Sequence, residues 1–216
     1  MARSLASASS QYLEASAAVV TGYPFTVASW FYPTSTGVFA TVWSTGVNST
    51  GNNYFQLGTT SGNFLRFRAR TTSNNDCTSG NTISANAWNH AVALGTSAAS
   101  RTVILNDGTP VTTTGSRDPT GMDRNAFGRL VTSTPTDYMN GRIGLSAIWN
   151  VVLSAAEITS LYKGIHPLKI RPAALLGVWP LGGVFSPEPE LVSAAALTVT
   201  GATKADDPKI FSYQNV

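Results

Sequence analysis

Three arginines at alternating positions carry the clearest binding chemistry in the sequence. Arg66, Arg68 and Arg70 alternate with apolar residues in the segment NFLRFRART, so a strand there would place the three guanidinium groups in a row on one face. Guanidinium forks bind carboxylates and sulfates in a bidentate manner. The row therefore indicates either a site for an acidic partner or a solvated sheet face. If it is a site, replacing all three by Ser or Gln should weaken attachment without lowering the melting temperature.

A loop rich in amide side chains offers a second kind of binding chemistry. The segment NSTGNNY contains Asn48, Asn52, Asn53 and Tyr54, and carbohydrate binding needs such polar groups together with an aromatic ring. Residues 74–81 have a similar composition, and both segments also suit ordinary turns. All five tryptophans lie in readable strands, so we interpret them as packing residues and not as sugar platforms: Trp30, Trp43, Trp88, Trp149 and Trp179.

No arrangement of residues predicts catalysis. Glycoside hydrolysis requires two carboxylates flanking one cleft, and we interpret all four glutamates as surface or capping groups, with Glu157 in a helix cap. His90 shares a strand face with apolar residues and is interpreted as a core histidine. Two histidines and one cysteine do not form a zinc set. We therefore expect a protein that is not an enzyme and has no cofactor.

Calcium is the one metal for which candidate ligands exist. Asp76, and Asp118 with Asp123, are the acidic positions in loop-like segments that could supply oxygen ligands to a hard cation. The alternative is that residues 74–76 form a turn in which the Asn and Asp side chains bond their own backbone.

Composition indicates one all-β domain over residues 1–216. The chain has 12% charged residues and a net charge of +3, which does not favour nucleic acid as a partner. Its opening residues lack the apolar core of a signal peptide, and no apolar run reaches the length of a membrane helix. The single cysteine, Cys77, cannot form an internal disulfide, which is typical of a protein made in a reducing cytosol.

The best-signalled elements are one strand and one helix. Alternation predicts a strand over 143–149 with Ile143, Leu145, Ala147 and Trp149 on one face, and the Ser154 and Glu157 capping box predicts a helix over 154–163. Asp107-Gly108 predicts a hairpin turn that pairs residues 103–105 with 110–113. Further strands are predicted over 25–32, 38–44, 54–57, 64–69, 88–94, 102–106, 175–179 and 197–199.

The segment Met139–Ile158 resembles the carboxyl-terminal signature of the concanavalin A-like lectin/glucanase superfamily, in its laminin G-like and pentraxin-like branch. The segments Pro24–Pro33, Ala87–Leu94 and Arg101–Gly108 agree with it. The resemblance implies an all-β fold, a two-sheet antiparallel jelly-roll β-sandwich with one short helix near 154–163. It also implies that a glucanase would carry E-x-D-x-x-E on one strand, which is absent from this sequence.

The order of the family elements is permuted in this sequence. ALLGVWPLG, at 174–182, resembles the segment that opens many family members, whereas the chain begins with what resembles the next element. The two termini should therefore be neighbours. Single-domain chains of this kind resemble accessory proteins of tailed-phage particles.

That resemblance implies a bacteriophage virion protein that decorates a capsid or fibre. Its partners would be the major capsid protein or other virion proteins, host-surface glycans, and other copies of itself on the particle. The alternative is a stand-alone carbohydrate-binding lectin or a degenerate glycoside hydrolase.

Overall fold

Two antiparallel sheets pack face to face in the computed structural model, which describes residues 2–192 and 194–206. One helix, α1, spans Ala155–Tyr162. Within the described residues the strands are β1 Ala2–Leu5, β2 Tyr12–Ala15, β3 Phe25–Pro33, β4 Ala40–Gly46, β5 Tyr54–Thr59, β6 Phe64–Arg70, β7 Asn74–Thr82, β8 Asn89–Ser97, β9 Ser100–Leu105, β10 Val111–Thr113, β11 Arg124–Phe127, β12 Gly141–Trp149, β13 Leu175–Trp179, β14 Thr198–Thr200 and β15 Thr203–Ala205.

The first sheet, sheet A, has the strand order β10-β9-β8-β3-β12-β1-β15, and β13 also pairs with β12. Sheet B has the order β14-β2-β11-β4-β5-β6-β7. The nine-residue strand β12 pairs with two strands on the same side: its first residues pair with β1 and its last residues pair with β13. The predicted two-sheet antiparallel sandwich with one short helix is confirmed.

Two apolar clusters hold these layers together. The larger lies between the sheets, where Phe25, Phe55 and Phe67 make edge and tilted ring contacts with centroids 5.0 to 6.2 Å apart. The smaller lies between the outer face of sheet A and α1, where Ile158 and Leu161 are buried. Aromatic burial of this kind is a major source of stabilisation in a sandwich without disulfides.

The helix begins as the sequence predicts. Ser154 accepts a hydrogen bond from the Glu157 backbone N–H, and the Glu157 carboxylate accepts one from the Ser154 N–H. Arg171 donates to Glu157 over 2.5 Å, and this bond, together with those from Ser154, lowers the pKa of Glu157 to about 2. The carboxylate is therefore committed to the cap, as expected.

Strand β12 departs from the predicted alternation. Ile143 faces the core between the sheets, whereas Leu145, Ala147 and Trp149 face the helix. The pairing with β3 shifts between Ile143 and Ser146, because an extra residue on β12 forms a β-bulge that changes which side the chain presents. A strict period of two could not predict this shift.

Two predicted turns are also corrected. Residues 74–76 do not form a turn, because Asn74–Thr82 is a strand that pairs with β6. The hairpin between β9 and β10 is confirmed, but its positive φ angles belong to Asn106 and Asp107, with Gly108 N–H bonded to Leu105 O over 2.9 Å. The turn therefore lies one residue earlier than predicted.

The described ends of the chain lie side by side. Ala2 is paired with Ala205 in the antiparallel register of β1 and β15, which confirms the predicted proximity as far as residue 205; Val216 lies outside the described residues. Gly183, at φ +74°, packs against Ala2 and Lys204, and a Cβ there would lie 2.8 Å from Lys204 Cα. The two described ends of the chain are therefore adjacent strands of sheet A.

A buried ion pair links β1 to the segment between β13 and β14. Arg3 donates to Glu188 Oε2 over 2.8 Å from Nε and 2.6 Å from Nη2, and the exposed fractions of the two residues are 5% and 0%. Arg3 also donates to the carbonyls of Phe185 and Ala202. The prediction that all four glutamates are surface or capping groups is therefore wrong for Glu188, which the tail loop folds inward.

The tryptophan predictions are confirmed for four of the five residues. Trp30, Trp43, Trp149 and Trp179 are buried, while Trp88 is only half-buried and precedes β8. His90 is buried beside Trp30, with ring centroids 4.8 Å apart, which confirms its interpretation as a core histidine.

Lowering the pH from 7.5 to 5 should reduce the free energy of unfolding by about 2 kcal/mol through His90. Burial lowers the pKa of His90 from 6.5 to about 3, so the unfolded chain takes up this proton first and stability falls as the pH drops below 6.5. Urea denaturation at the two pH values measures the change. His90→Gln should remove most of this change, and His166→Gln should remove a smaller part, because burial also lowers the pKa of His166. Equal slopes in the wild type and His90→Gln would contradict the assignment.

Candidate functional site on the polar face of sheet B

Strands β5, β6 and β7 carry polar side chains on the surface of sheet B that faces away from the core. We call this surface the polar face. Leu65, Phe67 and Ala69 of β6 point into the core cluster, so Arg66, Arg68 and Arg70 point outward as predicted. The register places Gln56 and Asp76 on either side of Arg68, and Tyr54 and Asn74 on either side of Arg70.

Arg66 is buried at the inner end of this row. Its exposed fraction is 2%, and its Nη2 donates to Gln56 Oε1 over 2.8 Å. The Asp137 carboxylate lies 4.0 Å away, and the guanidinium carbon lies 5.0 Å from the ring centroid of Phe39. Burial, reinforced by the charge of Arg68, lowers the pKa of Arg66, while Asp76 and Asp137 oppose this effect. The polar neighbours therefore offset only part of the cost of burying this charge, and Arg66 Nε has no hydrogen-bond partner among the described residues.

Arg68 forms the most regular ion pair of the face. Its Nε and Nη2 donate to the two oxygens of Asp76 over 2.6 and 2.7 Å, which is the bidentate geometry of a guanidinium and a carboxylate. Burial alone would lower the pKa of Arg68, but hydrogen bonding and charge from Asp76 and Tyr54 raise it. Asp76 itself is exposed, so the pair presents oxygen and nitrogen atoms to a ligand.

Arg70 joins the row to the amide-rich loop. It donates to Asn52 Oδ1 over 3.0 Å and to Asn74 Oδ1 over 2.8 Å. The structure thus brings the predicted residue Asn52 to the predicted arginine row. Tyr54 is 3% exposed and serves as a buried support beside Arg68, not as an exposed sugar platform.

The row is therefore not a simple solvated face, and one part of the sequence prediction is corrected. Because Arg66 is buried and hydrogen-bonded, replacing all three arginines should lower the melting temperature, contrary to the expectation from the sequence. Substitutions that test binding should be confined to Arg68 and Arg70, which are only half-buried.

The segment 129–138 crosses the outer side of β4 and borders the polar face. Ser44 donates to Arg129 O over 2.8 Å and accepts from the Val131 N–H, and Asp137 O accepts from the Thr41 N–H. Gly46 permits this approach, since a Cβ there would lie 2.7 Å from Val131 O. The segment 129–138 covers β4 and, through the bond from Gln56 to Asp137, the adjoining β5, all of whose residues are buried. The part of the polar face that stays open is formed by the outer ends of β6 and β7, at Arg68, Arg70, Asn74 and Asp76.

An exposed ring stands at one end of the open strands. Phe39 is 48% exposed and precedes β4, with its ring against the Arg66 guanidinium. Gln56 could have been found in the sequence, since it alternates with Phe55 and Leu57. Asp137 could not, because it reaches the site from a loop with no periodic signal. Phe39 lies in the predicted strand 38–44, but β4 begins only at Ala40, so its exposed ring was not foreseen.

The remaining predicted residues lie away from the row. The Asn48 N–H donates to Asp123 Oδ1 over 2.9 Å, and the Asn48 side chain lies 3.5 Å from Arg129 Nη2. Asn53 has φ +57°, and its carbonyl accepts from the Val47 N–H to close the loop. Asn48 therefore contacts Asp123 and Arg129 and not the arginine row. Asn53 closes the loop through its backbone carbonyl.

The calcium candidates are dispersed. Asp76 is paired with Arg68, Asp123 accepts from Asn48, and the charge of Asp118 acts on Tyr23 elsewhere. Within residues 2–192 and 194–206, no group of three or more His, Cys, Asp or Glu side chains could hold a metal ion. The expectation from the sequence, no cofactor with calcium as the one candidate metal, stays a prediction.

A two-sheet antiparallel sandwich, with a helix on one outer face and an open polar sheet on the other, defines a lectin-like domain. The chain belongs to the concanavalin A-like lectin/glucanases superfamily, whose laminin G-type model matches residues 7–159. The resemblance proposed from the sequence is thus confirmed. No curated protein matches the chain in sequence. In the described part of the chain, no helix is both long and apolar enough to cross a bilayer.

Solved structures share the fold at low sequence identity. A protein from Bacteroides ovatus, provisionally described as carbohydrate binding, is 14% identical with a TM-score of 0.64, over 96% of this chain and 60% of that one. The SAP-like pentraxin of Limulus polyphemus is 12% identical with a TM-score of 0.55, over 88% and 89%. The Ruminococcus gnavus IT-sialidase CBM40 bound to α2,3 sialyllactose is 15% identical with a TM-score of 0.53, over 69% and 97%.

Proposed function

We propose that the protein is a non-catalytic glycan-binding module and that the polar face of sheet B is its binding surface. The observation that carries the proposal is the array of partly open guanidinium, amide and carboxylate groups on β6, β7 and the adjoining loop, at Arg68, Arg70, Asn52, Asn74 and Asp76. Sugar hydroxyls need donors and acceptors held at set positions, and here hydrogen bonds between these neighbours hold each group. Phe39 adds an exposed ring on which a sugar ring can stack.

The composition of the face also supports binding over catalysis. Asp76 and Asp137 both lie within 4.0 Å of the Arg66 guanidinium, and Asp76 is engaged a second time by Arg68. Carboxylates committed to arginines suit ligand hydrogen bonding better than the acid and base roles of a glycosidase. Glu14 is likewise engaged by Arg129 and lies 3.7 Å from Arg124.

The structural relatives support the same class of ligand. The Ruminococcus gnavus module was solved with α2,3 sialyllactose, and the Bacteroides ovatus protein is provisionally described as carbohydrate binding. At 14 to 15% identity these proteins share the fold, so the ligand proposed for this chain rests on its own polar face.

A glycan array probed with the isolated chain, followed by calorimetry on the best ligand, tests the proposal. Replacing Arg68 and Arg70 together by Gln should weaken that ligand at least tenfold, because two charge-assisted donors are lost. The matched control is Arg171→Gln, an exposed arginine paired with Glu157 at the opposite side of the molecule, which should leave the affinity unchanged. Unaltered affinity in the Arg68 and Arg70 variant would contradict the proposal, as would turnover of any polysaccharide.

We include in this proposal the placement of the module on a bacteriophage particle, bound to the major capsid protein or another virion protein. Its support is the sequence resemblance, and none of the three structures named above is described as a virion component. Co-sedimentation of the purified chain with particles that lack it would support this placement. Glycan binding without any particle association would favour a stand-alone lectin.

A further inference from the structure

A second row of side chains crosses the outer face of sheet A, on the opposite side of the sandwich. Trp88, Tyr32 and Arg142 come from three adjacent positions of the sheet: the residue before β8, β3 and β12. Arg142 is the register partner of Tyr32, and Asn89 is the partner of Phe31, which places Trp88 beside Tyr32. We propose that this aromatic row is a separate binding site for a glycan that carries a carboxylate or sulfate group.

The contacts within the row fix the relative positions of its three side chains. The rings of Tyr32 and Trp88 meet edge to face with centroids 5.7 Å apart, and the Arg142 guanidinium carbon lies 4.8 Å from the Tyr32 centroid. Beside the row, two residues along β3 on the same outer face, Trp30 is stacked on Tyr162 of α1 at an interplanar angle of 14°. This packing against α1 borders the row and orders β3 next to it, so the site is organised before a ligand arrives.

The polar ends of the row have no hydrogen-bond partner among the described residues. In the described part of the chain, Tyr32, Trp88 and Arg142 make ring contacts with one another but no side-chain hydrogen bond or ion pair. Across residues 2–192 and 194–206, Arg142 therefore has no counter-ion, and its register partner on β1 is Ser4, not an acid. All three side chains are half-buried, so each keeps part of its surface open to solvent.

These features select an acidic sugar as the ligand. The C–H groups of a sugar ring pack on the face of an indole, whose electron distribution is negative there. An unpaired guanidinium then attracts a carboxylate or sulfate on the same or the next sugar unit. Trp88 and Arg142 are separated by two strand spacings, about 10 Å, a span that a disaccharide can bridge.

The surroundings argue against an acidic peptide and against a small buried ligand. Strands β8, β3 and β12 are each paired on both sides, so a peptide has no open edge to which it could add as a strand. The neighbouring crevice, lined by Trp30, His90, Ile165 and Pro167, measures about 10 Å³, enough for one water molecule. A ligand must therefore lie on the surface of the row.

Calorimetry and tryptophan fluorescence with the intact chain test the site, using tetragalacturonate, a heparin tetrasaccharide and 3′-sialyllactose as acidic probes. At least one probe should bind and quench fluorescence. Arg142→Gln should weaken it at least tenfold, and Trp88→Ala should weaken it and remove the quenching. If tetragalacturonate is the ligand, the wild type should bind its methyl ester more weakly than the free acid. Arg142→Gln should bind the methyl ester and the free acid equally well.

The control separates this site from the polar face of sheet B. The variant with Arg68 and Arg70 replaced by Gln should bind the acidic probe with unchanged affinity, and Arg171→Gln should do the same. Loss of acidic-probe binding in the sheet B variant would overturn the inference and assign that ligand to the polar face. The inference is also overturned if no acidic probe binds, if Arg142→Gln leaves the affinity unchanged in a folded protein, or if poly-glutamate binds equally well.

Discussion

Replacing Glu188 by leucine is expected to lower the free energy of unfolding by about 3–5 kcal/mol, since it leaves the Arg3 guanidinium buried without its counter-charge. The exposed fractions of Arg3 and Glu188 are 5% and 0%, so water cannot compensate. In a domain of this size the loss corresponds to a melting temperature about 10 °C lower. Urea denaturation followed by circular dichroism measures it.

The double variant Arg3→Met with Glu188→Leu is the matched control. Removing both charges relieves the unpaired cation, so more than half of the lost stability should return. Glu190→Gln is a second control, because Glu190 accepts backbone N–H bonds from Val178 and Val192 and has no cationic partner in the described residues. A loss below about 1 kcal/mol for Glu188→Leu would show that the stability of the paired chain ends does not depend on the ion pair between Arg3 and Glu188.

Replacing Arg66 by leucine is expected to reduce both stability and glycan affinity. The loss of the guanidinium leaves the Gln56 carbonyl oxygen without its donor and removes the cation beside Asp137, at a cost of about 2–3 kcal/mol. It also removes the group against which Phe39 rests, so the exposed ring loses its support. We expect affinity for the best array ligand to fall more than tenfold, by calorimetry.

Arg70→Gln is the control for Arg66→Leu within the same row. Arg70 is half-buried and bonded to the amide oxygens of Asn52 and Asn74, so its replacement should change stability by less than about 0.5 kcal/mol. If Arg66→Leu and Arg70→Gln had equal melting temperatures, the buried network around Arg66 would not contribute as described.

Local signals in the sequence sufficed for much of the fold. The capping box at Ser154 and Glu157 predicted α1 to within a residue at each end, because both partners lie within one turn. Alternation in 64–70 placed the three arginines on one face, and β6 extends one residue beyond the strand predicted over 64–69. Strand β7 was missed because its residues, NNDCTSGNT, have low strand propensity and are held by pairing with β6 and by the bond from Arg68 to Asp76.

Long-range contacts account for what the sequence did not reveal. Arg3 and Glu188 are 185 residues apart, and the acid lies in a Pro-rich segment that is typical of a surface turn. Asp137 reaches Arg66 only because the segment 129–138 folds over β4. The aromatic row on sheet A escaped notice because Trp88 and Tyr32 each suit a core strand, and only the sheet order brings Arg142 beside them.

Mapping the bound glycan on the protein tests the central claim most directly. In a ¹⁵N- and ¹³C-labelled chain titrated with the best array ligand, the largest amide shifts should fall in residues 52–58, 66–70 and 74–78 of sheet B and its adjoining loop, with Phe39 ring ¹³C signals moving as well. Binding that shifts no residue of these strands, or an array on which no glycan is bound, would contradict the assignment of the polar face as a glycan-binding surface.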